Sequence, residues 1–300
     1  MSRGKIIAMV VAAVMVVSGV SMLIIGLTVG ASPIISIGNR NAADGTGIKT
    51  VSDTVELDDY DKAEIDVSSI DVIIEYGTGY SLEYVVREGR EPEVEVKGGK
   101  LSMKQPSQSS FFVFDLRTVS DHENEYYKLT IPKECSLLEL DLEASSADIT
   151  VDGVNVEGSI EVSSGDVSIN RTKGEDLKLT SSSGHIDLAN AEYEKLNVEV
   201  SSGDISFKDC GMDELECSSS SGEMTFDDID ADKIDLKSSS GDVVLNIIGG
   251  EDDYSYDIDT SSGDIKIGNR KLDGDYMTDD DKSKSIKAET SSGSVTISFK

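Results

Sequence analysis

Tryptophan is absent from this 300-residue chain, aromatic residues make up 5 % of it, and histidine occurs only twice. A deep, aromatic-lined ligand pocket therefore has little to be built from. Cysteine is scarce as well. Cys135, Cys210 and Cys217 are an odd number, which does not make a disulfide framework in an exported chain. Cys217 stands where equivalent positions carry Leu179, Val198, Leu236 or Ile258, so it reads as a small buried hydrophobe. A Cys210–Cys217 bridge is the alternative; a metal site would lack a histidine at ligand spacing. Positive charge is the remaining shortage: 27 basic residues face 58 acidic ones, a net charge of −31. Such a surface repels nucleic acid and anionic membrane or wall polymers, and suits cations, basic protein patches or neutral glycans. The basic residues form no cluster of the kind a polysaccharide lyase needs, and no nucleotide-binding glycine loop is present. No enzymatic activity is expected.

What is present begins with one long apolar run. Ile6 to Val29 carries no charge, and its 24 residues would span about 36 Å as a helix, enough for a bilayer core of about 30 Å. Arg3 and Lys5 lie on its N-terminal side only, which keeps the start in the cytoplasm and exports the rest. Residues 1–30 read as a signal anchor, with a cleaved signal peptide as the other reading. The expected location is the cell membrane, single-pass, with the remainder extracytoplasmic. Residues 31–50, rich in Gly, Asn, Ala and Ser, read as a juxtamembrane linker.

Glycine organises the rest of the chain. Gly165, Gly184, Gly203, Gly222 and Gly241 stand 19 residues apart, each closing a Ser-Ser-Gly phrase, and Gly263 and Gly293 repeat the phrase after 22 and then 30 residues. A fixed period with a turn signal in every unit marks a stacked repeat. Apolar residues alternate with polar ones on either side, as in Leu196 and Val198 before Gly203 and Ile205 and Phe207 after it. That alternation predicts strands with one wet and one dry face. The parity switches across Ser-Ser-Gly-Asp, so the turn re-aims the chain and the next strand also points inward. Each unit thus holds two short strands and two corners, and it cannot bury its apolar side alone. Weaker copies, Ser68-Ser69-Ile70-Asp71 and Ser145-Ser146-Ala147-Asp148, lack the glycine. Isoleucine is unsuited to positive φ, so either those corners bend differently or the glycine serves close packing. The expected fold is all-β: a single-stranded β-helix (β-solenoid) of about nine coils over 51–300, after one N-terminal transmembrane helix. Irregular N-terminal coils are expected over 51–139, with strands at 81–87, 93–96, 100–104 and 126–131, and regular repeats over 140–300.

The combination resembles a known family. A single N-terminal membrane segment, the Ser68-Ser69-Ile70-Asp71 strand, the Leu-Thr-Ile-Pro-Lys segment at Leu129–Lys133 and the serial Ser-Ser-Gly-Asp strands look like the bacterial "putative adhesin" domains of unknown function. These include LiaG-type cell-envelope proteins of Gram-positive bacteria. The resemblance covers roughly residues 50–300. It implies a β-helix displayed outside the membrane with an adhesion or envelope-stress role, and it carries no catalytic residues to transfer.

The candidate chemistry is a column of acidic residues directly after the corners: Asp71, Asp148, Asp166, Asp204, Glu223, Asp242 and Asp264, with His185 and Ser294 in register. At an inter-strand spacing of about 4.8 Å such charges repel by about 1 kcal/mol per pair in water-like surroundings. Hydrogen bonds from N–H groups or serines of each residue's own turn would compensate. The sharper alternative is a row of Ca²⁺ sites at Asp166, Asp204, Asp242 and Asp264, and at Asp273, Asp275 and Asp279 of the acidic 268–285 insertion. The Gly-Gly-x-Gly-x-Asp order of Ca²⁺-binding β-rolls is missing, and no other cofactor is implied. His185 follows three serines and a glycine, but serines recur in every coil without a histidine, so a nucleophile pair is not indicated; His122 reads as exposed. Phe111, Phe112 and Phe114 are either a buried strand or an apolar patch for a partner. The expected function is binding or scaffolding at the bacterial envelope, by a membrane-anchored surface solenoid contacting an envelope protein or neutral glycan. The alternatives are a regulatory partner of a membrane-embedded envelope-stress sensor and a Ca²⁺-dependent surface protein.

Overall fold

The computed structural model describes residues 50–106, 125–272, 274–278 and 282–300. The apolar run Ile6–Val29, the linker up to residue 49, Phe111, Phe112, Phe114, His122, Asp273 and Asp279 lie outside them. No helix among the described residues is long and apolar enough to cross a membrane.

Each repeat folds as one rung of two strands. In one sheet Leu138–Ser146, Val156–Ser164, Lys173–Ser183 and Glu192–Ser202 pair in parallel, followed by the second halves of the long strands Ile205–Ser221 and Met224–Ser240. The other sheet repeats the pattern with Ile149–Asp152, Val167–Asn170, Ile186–Ala189, the first halves of those long strands, and Val243–Ile247. Parity fixes the register. Ile186 lies between Val167 and Ile205, and Leu188 between Ile169 and Phe207, all at most 1 % exposed. A one-residue slip would turn every one of them to solvent. Each such side chain gains about 1.5–3 kcal/mol on burial, and ordering a rung cancels most of that, so rungs are stable only as a stack. Cys217 takes the inward place between Val198 and Leu236, and all three cysteines are free and buried; the Cys210–Cys217 bridge is not formed.

The Ser-Ser-Gly corner needs glycine for two reasons at once. Gly203 has a φ of 142°, and a Cβ on it would lie 2.0 Å from the carbonyl oxygen of Gly184 in the rung below. Both the dihedral and the close approach exclude a side chain. Ile70 and Ala147 do not have positive φ, so those corners bend differently. The opposite corner carries its own left-handed column, Arg171, Asn190, Asp209 and Asp228, with φ of 52–57°.

Chain order and stacking order diverge at both ends. Lys284–Ser292 lies between Met224–Ser240 and Tyr254–Thr260, and Val295–Phe299 between Val243–Ile247 and Ile265–Ile267. The final coil is therefore inserted beneath the one that precedes it in sequence. At the other end Lys62–Val67 lies between Lys100–Lys104 and Leu138–Ser146, and Asp71–Gly77 between Tyr126–Pro132 and Ile149–Asp152. Counted along the first sheet from Lys100–Lys104 to Tyr254–Thr260 there are ten rungs, not nine consecutive coils. Charge fixes the inserted coil: Lys284 Nζ is 3.1 Å from both Asp230 and Asp232 on one side and 5.6 Å above the Tyr254 ring on the other. Burial works against that ammonium, but the two carboxylates outweigh it and hold its pKa above the usual lysine value.

Several segments expected as irregular first coils are instead antiparallel end covers. Glu93–Lys97 pairs with Lys100–Lys104, Ser81–Arg87 with Tyr126–Pro132, and Thr50–Glu56 with Ser81–Arg87. Arg270–Leu272 and Tyr276–Met277 do the same at the far end. Covering the last parallel strands blunts edges that would otherwise template pairing with another chain.

Two outcomes are expected. Gly203→Ala should cost at least about 2 kcal/mol more than Gly98→Ala in chemical denaturation, because Gly98 has positive φ but open space around it. For the rung order, Asp235→Cys paired with Lys287→Cys should oxidise readily, since those residues are register partners. Asp235→Cys with Asp257→Cys should not, being two rungs apart at about 10 Å. The reverse result would restore chain order.

Candidate functional site: a corner ladder and a serine groove

The acidic column is a hydrogen-bond ladder running along the stack. Asp71 Oδ1 accepts from the Asp148 N–H at 2.9 Å, Asp148 from Asp166 at 2.9 Å, and Asp166 from His185 at 2.7 Å. His185 Nδ1 accepts from the Asp204 N–H at 3.1 Å, Asp204 from Glu223 at 2.8 Å, and Asp242 from Ser294 at 2.7 Å. The donor is thus the next rung's backbone, not the residue's own turn as the sequence suggested. A backbone N–H offered to a carboxylate is a charge-assisted bond, which offsets the repulsion along the column. Burial pushes the Asp71 carboxyl up, with the Asp148 N–H opposing it and the Asp148 charge adding to it. Asp264 departs from the pattern and pairs with Lys271 at 2.8 Å.

The Ca²⁺ candidates are not gathered into a cage. Among the described residues no group of three or more His, Cys, Asp or Glu is arranged to hold a metal ion. Asp166, Asp204 and Asp242 each spend one oxygen on the next rung. Asp275 lies against Asp259 and raises that carboxyl's pKa by hydrogen bond and charge. His185 belongs to the ladder and has no serine partner among its hydrogen bonds.

Beside the corner, the outer face of the first sheet is hollowed. Two columns line the hollow. One contains Ser182, Ser201, Ser220, Ser239, Ser291 and Ser261; the other contains Thr180, Glu199, Ser218, Lys237, Glu289 and Asp259. They enclose about 570 Å³. The groove continues toward the other end as a smaller hollow of about 240 Å³ lined by Ser163, Ser145, Glu161, Glu143 and Asp66, with Thr180 and Ser182 common to both. The column between them changes character along the stack: Val67, Ala144, Val162 and Val200 are aliphatic, while Ser181, Ser219, Ser238, Thr290 and Thr260 bear hydroxyls. Ser238 Oγ donates to the Gly241 carbonyl at 3.4 Å and Thr260 Oγ1 to that of Gly293 at 3.0 Å. The hydroxyls of Thr180, Ser181, Ser219 and Thr290 are buried without a partner. Sequence reasoning assigned the serines to the corner alone. Their recurrence at the same two places before every glycine was the available signal; the hollow itself spans several rungs.

The stacked parallel rungs, the glycine corners and the inserted end coils define a β-solenoid-like class of all-β protein. Within that class the chain belongs to the Toastrack family, whose model (Toastrack DUF4097) matches residues 60–298. Among solved structures it is similar to a putative adhesin from Bacteroides fragilis NCTC 9343, at 14 % identity and a TM-score of 0.52, covering 84 % of this chain and 98 % of that one. It also matches a putative lipid binding protein from Parabacteroides distasonis ATCC 8503 (20 % identity, TM-score 0.46, coverage 86 % and 97 %) and a putative adhesin from Parabacteroides merdae ATCC 43184 (15 %, 0.38, 85 % and 98 %). At these identities the likeness concerns the fold. No curated protein matches.

The ladder makes a clear distinction between two substitutions. Asp204→Ala strips the Glu223 N–H of its acceptor and should cost about 1 kcal/mol, whereas Asp204→Asn keeps an acceptor oxygen and should cost less than half of that. Equal losses in urea melts would remove the ladder's role. The thermal midpoint is expected to be the same with and without millimolar Ca²⁺; a rise would show that the free carboxylate oxygens cooperate in binding cations.

Proposed function

We propose that the chain is a non-enzymatic binding or scaffolding module, tethered by its N-terminal apolar segment and displayed outside a bacterial cell membrane. One observation carries the reading: from Asp71 to Glu223 the residue after the corner recurs at a fixed place and serves the next rung. A catalytic constellation would instead require a local departure from the repeat. The uncharged run Ile6–Val29, with Arg3 and Lys5 before it, supports the tether and its direction. The adhesin name carried by the Bacteroides fragilis protein accords with a surface role.

Reach favours a second reading. Ten rungs at about 4.8 Å extend only about 48 Å, so in a thick-walled cell the solenoid would stay close to the bilayer. A regulatory partner of a membrane-embedded envelope-stress sensor needs no greater reach. Crosslinking in intact cells, with identification of the captured molecules, separates the two. Envelope glycan supports the binding module, and one membrane sensor supports the regulatory partner. Protease that digests the solenoid only after cell lysis would place it in the cytoplasm and overturn both.

A further inference from the structure

The serine groove carries an inference that rests on the binding reading and goes further. We propose that the groove on the outer face of the first sheet binds a linear, neutral polysaccharide strand lying along the stack axis. Four observations lead there. First, the hollow crosses successive rungs, so whatever fills it meets the same hydroxyls repeatedly at the strand spacing of about 4.8 Å. A polymer of similar units matches such a surface; a compact ligand would use one part of it. A sugar residue in a chain is comparable in length to one rung.

Second, the groove's chemistry is that of sugar recognition. A hydroxyl column beside a column that includes Glu161, Glu199, Glu289 and Asp259 places acceptors next to groups that both donate and accept. Vicinal sugar hydroxyls satisfy such pairs. Thr180 Oγ1 lies in the wall without a partner. Ser181, Ser219 and Thr290, 1 %, 5 % and 4 % exposed, share the inward register of Val162 and Val200, so the hydroxyls a ligand meets are those of the exposed column Ser182, Ser201, Ser220 and Ser239.

Third, charge decides the kind of polymer. Lys237 is the cation in the groove lining, and its ammonium is already 3.0 Å from Asp235. An acidic polysaccharide or nucleic acid would meet a carboxylate-rich wall whose neighbouring lysines are already paired, Lys178 with Glu199 at 3.5 Å and Lys287 with Glu289 at 2.8 Å. Fourth, a peptide is disfavoured. The floor's backbone groups are already paired in the parallel ladder, so no edge is open for strand addition, and Val200 is the apolar residue in the lining of the larger hollow, so anchor pockets are missing. Binding then comes from many weak contacts summed along the strand.

The test uses the full chain in a detergent free of sugar, titrated with β-1,4-linked N-acetylglucosamine oligomers from disaccharide to hexasaccharide. Affinity should rise with each added sugar. Ser201→Leu combined with Ser220→Leu fills the groove at exposed positions and should weaken the hexasaccharide at least tenfold, with an unchanged melting midpoint. Ser168→Leu, on the exposed face of the other sheet, should leave binding intact. No length dependence, equal binding by the filled variant, or preference for polygalacturonate or peptide would overturn the groove assignment. A parallel sedimentation assay with isolated cell envelopes separates the two levels. Retention that survives the groove substitutions leaves the binding reading standing without the groove; no retention by the wild-type chain overturns both.

Discussion

Every rung of this solenoid must lie directly on the one below, at the spacing of a parallel strand ladder, and the corner leaves no slack. At Gly203 a single methyl group would come within 2.0 Å of the Gly184 carbonyl, and Gly184, Gly222 and Gly241 meet the same limit against their neighbours. Displacing the backbone there would break the N–H to C=O bonds that join successive corners, such as Gly203 N–H to Ser221 O at 3.1 Å. The inward columns depend on that contact. Ile205 and Phe207 face the core because the corner reverses the strand's parity, and at Gly203 it does so at a positive φ that glycine tolerates. The carboxylate ladder depends on it too, since from Asp71 to Asp204 each acceptor reaches the backbone N–H of the next rung.

The same constraint makes rungs interchangeable, and the molecule uses that at both ends. A coil bearing Ser-Ser-Gly, inward aliphatics and a polar residue after the glycine can dock on any other. Gly293 approaches Gly241, and Gly263 approaches Gly293, with the same clearances as consecutive rungs. What selects the actual order is particular to a few side chains: Lys284 between Asp230, Asp232 and Tyr254, and Lys300 against Asp227 and Asp228 at 3.1 and 2.6 Å. Exposed pairs contribute little individually. Lys284 is only 28 % exposed and is held by two carboxylates and a ring, so it counts for more than the rest. Inserting the last coil one layer in means that neither terminal segment of the described chain is an outermost parallel strand, and the outermost strands are closed by antiparallel covers.

This explains what could be read from the sequence and what could not. Period and parity are local, so the two-strand rung, the inward place of Cys217 and the strands Ser81–Arg87 and Lys100–Lys104 were all legible. Rung order is not local. The phrase around Gly263 and Gly293 is the same, and the only trace of the insertion was the lengthening of the intervals to 22 and 30 residues. The second corner was expected, but its left-handed backbone was not legible, because Arg171, Asn190, Asp209 and Asp228 share that conformation and not a residue type. For the acidic column the position was legible and the partner was not: an aspartate bonding its own turn and one bonding the next rung have the same sequence. The serine groove lies between these cases. Its residues were plain, while the hollow they line forms only when successive rungs stack.

Regularity also bears on where specificity can reside. A repeat that commits its carboxylates to stacking has few groups left for recognition, and those left must recur as columns. The outer serines meet that condition: substituting Ser201 or Ser220 removes no bond of the corner ladder, because the adjacent Ser202 and Ser221 carry the backbone contacts to the next corner. Selection on the stack therefore leaves the column of Ser182, Ser201 and Ser220 free to vary, yet serine occupies it at every corner, even where glycine is replaced, at Ser68 and Ser145. A uniform hydroxyl column beside a carboxylate-rich one is a surface whose affinity grows with the length of the molecule lying on it. Such a surface suits a chain-like ligand better than a single small molecule.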